Sequence, residues 1–263
     1  MDTKTGRRLE NKVAIVTGAA KGIGLSISEN FCRQGALVVM ADIDIQTGIR
    51  ESGKLNEAGY QTIALQVDVK SIADIRLLVD KTIEKFKKID ILVNNAAVAI
   101  SGNILDMGEE DWQLLMDTNL RSVFLATQCV LPCMLEQGSG SIINLSSTQA
   151  LRSWKNWTAY ACAKGGILAM TNQLAGQFGD RNIRFNCISP GAILTPLNQQ
   201  RALEEGSEFI QKSEQMHAMR RMGTVEEVSM LAVFLASDEA SFITGDNILV
   251  DGGLSTVPRY DEI

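Results

Sequence analysis

The sequence predicts one α/β domain built on a doubly wound, mostly parallel sheet of seven strands with helices on both faces. Three observations predict it. Short apolar runs alternate with stretches of helical spacing along nearly the whole chain. The strand candidate at 36–41 is apolar throughout rather than alternating, as a strand covered on both faces is. Glycines, acids and hydroxyl residues recur at the carboxyl ends of those strands, the edge where open α/β sheets bind ligands.

Residues 12–17 (Lys-Val-Ala-Ile-Val-Thr) read as a buried strand that runs into Gly18-Ala19-Ala20-Lys21-Gly22-Ile23-Gly24 and a helix to about residue 34. Residues 36–41 form a second strand ending in Asp42, followed by a helix over 46–58. A strand at 62–67 ends in Asp68-Val69, and a helix over 72–86 leads to the strand 89–93 and Asn94-Asn95-Ala96-Ala97. One long helix, 109–136, carries Asn119. The strand 142–145 ends at Ser146-Ser147, and a helix capped by Thr158 carries Tyr160 and Lys164. The strand 183–188 closes on Ser189-Pro190-Gly191. Residues 196–221 are polar and interrupted, 225–236 are helical, and 247–250 form the last strand before Asp251-Gly252-Gly253. No composition break marks a second domain. The chain divides into a polar leader (1–10), a catalytic domain (11–253) with a lid at 196–222, and a tail (254–263).

The glycine turn after the first strand makes a phosphate cradle. Glycines permit close backbone approach, and the free N–H groups of the following helix favour an anion. Its spacing is Gly-x-x-x-Gly-x-Gly, not the commoner Gly-x-Gly-x-x-Gly of dinucleotide sites. Asp42, about 20 residues beyond the turn, is placed to accept hydrogen bonds from an adenosine ribose and to repel a 2′-phosphate. NAD is therefore favoured over NADP, with Lys21 in the turn as a cation that pulls the other way. On the later helix Tyr160 and Lys164 lie one turn apart on one face. A free tyrosine has a pKa of about 10. An ammonium at about 4 Å in a dielectric of about 20 favours the phenolate by about 4 kcal/mol, roughly three pKa units, if desolvation does not cancel it. Tyr160 is then a candidate general base, with Ser147 donating to the same substrate oxygen.

Bulk properties narrow the partners. The net charge of −6 and pI near 5.0 argue against nucleic acid and anionic membranes. No apolar run approaches the ~18 residues a membrane span needs, and the polar first ten residues lack the apolar segment of a signal peptide. Arg7-Arg8 belong to a solvated leader. The five cysteines show no disulfide framework, which suits a reducing cytoplasm. Cys129 and Cys133 are one helical turn apart but have no nearby histidine, so no metal is expected. The single histidine, His217, sits among methionines and either faces the substrate or packs a short helix.

Together Thr17 to Gly24, Asp42, Asp68-Val69, Asn94-Asn95-Ala96, Asn119, Ser147, Tyr160-x-x-x-Lys164, Pro190-Gly191 and Thr195 closely resemble the short-chain dehydrogenase/reductase family, from Asn11 to Gly253. The resemblance implies a Rossmann-type fold and a catalytic tetrad of Asn119, Ser147, Tyr160 and Lys164, with Asn119 anchoring a proton-relay water. It implies cofactor contacts from Gly18, Lys21, Gly22, Ile23, Gly24, Asp42, Ile43, Asp68, Val69, Asn94, Ala96, Tyr160, Lys164, Pro190, Gly191, Ile193 and Thr195. It also implies a homotetramer joined through the long helices and the C-terminal strand. Ala97 departs from the family, which usually has glycine there.

Between Ser147 and Tyr160 stand Gln149, Arg152, Trp154, Lys155 and Trp157. Polar and aromatic groups suit a polyol, sugar or hydroxy acid, with Ser147, Gln149, Arg152 and Tyr160 as the expected substrate contacts. The expected activity is hydride transfer between such a small-molecule secondary alcohol and NAD. Two alternatives stand beside it: an NADPH-dependent carbonyl reductase of the 3-oxoacyl or quinone type, and a dinucleotide-binding regulator without turnover.

Overall fold

The computed structural model describes residues 7–256; the rest of the expected leader and tail, 1–6 and 257–263, lie outside the described residues. Seven strands form one parallel sheet: β1 (Val13–Thr17), β2 (Leu37–Asp42), β3 (Thr62–Gln66), β4 (Ile91–Asn94), β5 (Gly140–Leu145), β6 (Ile183–Pro190) and β7 (Asn247–Val250). Their order is β3-β2-β1-β4-β5-β6-β7. The chain winds outward from β1 to β3, then returns to β4 on the other side of β1. That reversal opens a crevice at the carboxyl ends of β1 and β4, the natural ligand site of such sheets.

The helices are α1 (Gly22–Arg33), α2 (Ile45–Glu57), α3 (Ile72–Phe86), α4 (Glu109–Met116), α5 (Ser122–Gln137), α6 (Thr158–Phe178), α7 (Pro196–Glu205), α8 (Ser207–Gln215) and α9 (Val225–Ala236). Successive strand residues point to opposite faces, so each strand feeds two cores. Val16, Met40 and Val93 pack with Phe31 of α1 and Val233 of α9. Ile15, Val39 and Leu92 pack with Leu78 of α3, Met134 of α5 and Phe185 on the opposite face.

Several boundaries differ from the sequence expectation, each for a tertiary reason. β4 begins at Ile91; Asp90 still bonds β1 and β5 through its backbone, whereas Ile89 has a side-chain partner. The Gln137 amide bonds both the N–H and the carbonyl of Ile89, and the Asp90 carboxylate accepts from Val13 N. The long helix breaks into α4 and α5 around a wide π-type turn, Asp117–Arg121, centred on Asn119. α6 starts without the expected cap: Thr158 is its first helical residue and Trp157 holds the cap position without capping the helix through its side chain. A strand-like bridge between Gly102 and Trp157, with Gly102 N donating to Asn156 O at 2.8 Å, sets the helix entry instead. The polar stretch after β6 is two helices, α7 and α8, joined at Gly206 with φ +84°. Residues 7–10 are docked rather than solvated. Leu9 is fully buried in the first core, and Arg8 makes a two-pronged contact with Glu239 at 2.8 and 2.7 Å.

Candidate active site

The crevice is stitched before any ligand enters it. At the end of β1, Thr17 Oγ1 accepts from Asn95 N and Ala96 N at 3.0 and 3.1 Å. The Asn95 amide donates to Thr17 O and Gly18 O at 2.9 and 3.0 Å. Gly18 and Gly22 take left-handed φ of +64° and +61°. A Cβ at Gly24 would lie 2.1 Å from Gly18 O, so this glycine closes the turn.

The loop fits a dinucleotide. Lys21 occupies the cap position of α1 without a side-chain cap bond, and the first turn carries no acid. Its N–H groups are thus left for an anion. A Cβ at Gly22 would find its nearest neighbours, Thr195 and Pro196, at 3.8 Å, so room remains between the loop and the start of α7. Asp42 ends β2 beside the loop, its two oxygens accepting from Ala20 N and Asp44 N at 2.9 Å each. Lys21 Nζ is 3.7 Å from the Asp44 carboxylate, which neutralises the one cation in the turn. Ile43 is exposed next to them. Asp68 is bound by Lys70 through its ammonium at 3.0 Å, with Val69 buried behind it.

At Asn94 the backbone and side chain have different surroundings. The Asn94 side chain faces the sheet interior, donating to Asn144 Oδ1 at 2.8 Å, so only its backbone is left for a ligand. Ala96 is half-buried beside it. Across the crevice, Pro190 and Gly191 end β6, Gly191 N donating to Val250 O at 3.0 Å. Ile193 is buried, and Thr195 Oγ1 caps α7 by accepting from Asn198 N at 3.2 Å.

Ser147, Tyr160 and Lys164 converge where β5 meets α6. The Ser147 hydroxyl accepts from Gln149 N at 3.2 Å and lies close enough to the Tyr160 hydroxyl to favour its phenolate. Lys164 is only 2% exposed; its Nζ donates to Leu145 O at 2.7 Å and lies 5.5 Å from the centre of the Tyr160 ring. Trp157 meets that ring edge-on at 5.5 Å. Asn119 is fully buried, and its amide bonds both Val98 N and Val98 O at 2.8 Å. It therefore fixes the wall after Ala97.

Protonation runs opposite to the expectation for the tyrosine. Burial pushes Tyr160 up to about 12, offset only in part by the Ser147 hydrogen bond. Burial also brings Lys164 down to about 8. Desolvation of both groups outweighs their mutual attraction in the ligand-free pocket. The guanidinium of Arg152, another expected substrate contact, donates to the backbone carbonyl of Ser255. Gln149 sits on the turn after Ser147, its side-chain oxygen enclosed without a partner. Sequence reasoning missed the structural work of Thr17 and Asn95, although Asn95 lies inside a motif it had singled out. The Leu145 carbonyl that holds Lys164 left no sequence signal.

Comparison with known proteins agrees with this geometry. Residues 18–255 match a family model described as enoyl-(acyl carrier protein) reductase. A 3-oxoacyl-[acyl-carrier-protein] reductase of Thermotoga maritima is 37% identical over 94% of this chain and 99% of its own length. An NAD-dependent glycerol dehydrogenase of Listeria innocua is 37% identical over 93% of this chain and 94% of its own. The crystal structure of a putative short-chain dehydrogenase/reductase from Burkholderia xenovorans superposes with a TM-score of 0.92 at 32% identity, covering 96% of this chain and all of that one. Fold and relatives define an oxidoreductase that uses a nicotinamide cofactor on a CH–OH group or its carbonyl. The chain belongs to the short-chain dehydrogenase/reductase family. Among the described residues, no helix is long and apolar enough to cross a membrane, and no three His, Cys, Asp or Glu side chains cluster as metal ligands.

Proposed function

We propose that this enzyme is NAD-dependent and interconverts the secondary alcohol and ketone of a small polar substrate, a polyol, sugar or hydroxy acid. The observation that carries the reading is the Ser147–Tyr160 hydroxyl pair backed by the buried Lys164 ammonium. In oxidation Tyr160 Oη takes the hydroxyl proton while Ser147 Oγ hydrogen-bonds the same oxygen; in reduction Tyr160 returns it. Lys164 supports the phenolate. Opposite charges about 5 Å apart in a dielectric of about 20 attract by about 3 kcal/mol, near two pKa units, which offsets the burial of Tyr160. A bound oxidised nicotinamide would supply the hydride acceptor and a positive charge that favours the Tyr160 phenolate. Asn119 shapes the neighbouring wall through Val98.

The cofactor rests on Gly18 to Gly24 for its pyrophosphate, Asp42 and Ile43 for its adenosine ribose, and Asp68-Val69 for the adenine. Asn94, Ala96, Pro190, Gly191, Ile193 and Thr195 line the nicotinamide side, with Tyr160 and Lys164 at its ribose. NAD is preferred because two acids, Asp42 and Asp44, face one cation, Lys21, which Asp44 already holds. α7 and α8 act as the substrate lid, hinged where Ile193 bridges Gly223. The chain assembles as a homotetramer in a reducing cytoplasm. Phe124 on α5 and Leu249 on β7 are apolar and exposed in the single chain, and all five cysteines are free.

A second reading has its own support. Leu105, after β4, and Leu203, on α7, are each 87% exposed on segments flanking the crevice, which suits an NADPH-dependent reductase of apolar 3-oxoacyl-type substrates. Screening glycerol, sugar alcohols, hydroxy acids and 3-oxoacyl thioesters with both cofactors, by absorbance of the reduced form, decides between them. Turnover confined to the thioesters with NADPH overturns the first reading.

A further inference from the structure

We propose that His217 is a positioning residue for the cofactor: its imidazole holds the backbone between β6 and α7 in the shape that receives the nicotinamide end. The inference rests on the reading above that residues 190–195 line that end of the cofactor.

The ring is 1% exposed and lies in a slot between the ends of two strands. A Cβ at Gly191 would meet His217 Nε2 at 2.7 Å, and one at Gly252 would meet its Cδ2 at 3.5 Å. Both positions are glycine, leaving the ring room to lie flat against the Pro190-Gly191 turn. Its two nitrogens then have distinct work. Nδ1 is 2.6 Å from the carbonyl of Ser213 on α8, and a carbonyl only accepts, so Nδ1 carries the proton. Nε2 is thus bare and accepts from Ala192 N at 3.1 Å. One neutral imidazole joins the lid helix to the first residue of the Ala192–Thr195 segment.

The rest of that segment is held by other groups. Gly191 N donates to Val250 O, Leu194 N to Gly223 O, and Gly223 N to Ala192 O. The Asn198 amide holds Ile193 O at 2.9 Å. Of the backbone N–H donors named here, only that of Ala192 depends on a side chain. Losing the acceptor leaves a donor buried and unpaired, which favours other backbone arrangements. Apparent cofactor affinity then falls with the fraction of molecules in the receptive shape. Cofactor-saturated enzyme keeps its proton-transfer groups, which His217 does not touch.

Two measurements test this. His217→Leu removes the acceptor while keeping an apolar side chain, and His217→Gln keeps one acceptor and one donor. NADH titration by fluorescence is expected to give a dissociation constant about ten-fold or more higher for H217L, with most of the loss restored in H217Q. In turnover, KM for the cofactor rises in H217L by more than kcat falls. Because His217 is the only histidine, nitrogen NMR of the wild-type imidazole reads its tautomer without ambiguity. Nδ1 protonated and Nε2 bare is expected, and this holds even if H217L does not fold. The opposite tautomer, unchanged NADH affinity in H217L, or a loss of kcat alone each overturns the proposal. Failure of the wild type to bind any dinucleotide instead overturns the reading of the segment and leaves the tautomer result standing.

Discussion

Asp42→Asn tests the nucleotide preference at a single carboxylate. The proposed cofactor placement puts this side chain beside the adenosine ribose, and both of its oxygens accept from backbone N–H groups. A unit charge pair about 5 Å apart in an effective dielectric of about 40 repels by about 1.7 kcal/mol, and a phosphate near −2 doubles that. Neutralising Asp42 should therefore tighten NADPH about 100-fold. The same change weakens the charge-assisted bonds to an unmodified ribose, costing NADH about ten-fold. Selectivity then shifts by about three orders of magnitude, and the shift shrinks in 1 M salt because the group is partly solvated. Asparagine keeps one oxygen for two backbone donors, so a fall of about 2–4 °C in Tm is expected as well. Fluorescence titration of NADH and NADPH at low and high salt reads every part of this. An NADPH affinity that moves less than three-fold in D42N refutes the electrostatic argument, because Asp44 is already held by Lys21 and no other acid in the loop takes over.

Tyr160→Phe should reduce turnover by at least about 1,000-fold while NADH affinity stays within about three-fold, read by steady-state kinetics and fluorescence. Lys164→Met should abolish activity yet stabilise the free enzyme at pH 7. The folded pKa of Lys164, about 8, lies below the usual 10.5, so the cost of its buried charge is full below pH 8 and fades as pH rises towards 10.5. Denaturant melts of K164M against wild type should thus differ by about 2–3 kcal/mol at pH 7 and converge near pH 10; a difference that grows with pH sinks the idea. Gly24→Ala should destabilise the fold by several degrees in Tm and abolish nucleotide binding, since the new methyl would sit 2.1 Å from Gly18 O. Wild-type stability and binding in G24A would show that the turn has slack.

Much of this architecture is legible in the sequence because a doubly wound sheet writes itself twice. Its strands are apolar on both faces, as residues 37–41 and 142–145 show, and its ligand groups gather at one edge. What is not legible depends on contacts distant in sequence. The π-type turn at Asn119 exists because its amide reaches Val98, 21 residues away. Asn94 and Asn95 are neighbours of one type, yet only the alternation of the strand end decides that Asn94 enters the sheet while Asn95 ties the glycine loop. Charge spacing on a helix gave the Tyr160–Lys164 pair, but its protonation depends on how deeply α6 is packed, which spacing does not encode. The carbonyl that Arg152 meets, that of Ser255, lies 103 residues downstream and left no signal near it.

Holding a buried ammonium near a neutral phenol is unfavourable for the empty protein, so the surrounding structure has to impose it. Three consecutive residues, the last two of β5 and Ser146 directly after it, do so. Asn144 donates to Thr171 Oγ1 at 2.8 Å, Leu145 offers its carbonyl to Lys164 Nζ at 2.7 Å, and Ser146 Oγ donates to Lys164 O at 2.9 Å. Ser147 follows directly and reaches Tyr160. The strand thus reads out along α6 as three anchors and then a reactive hydroxyl, with no flexible link between the groups that must align. Behind the anchors, Asn94 and Asn144 extend the polar chain across β4 and β5, and Thr171 extends it to Cys187 on β6. Such a chain, buried among apolar residues, has few alternative partners, so breaking any link leaves a polar group unpaired. Rigidity in the sheet therefore holds the buried ammonium beside the phenol at its edge.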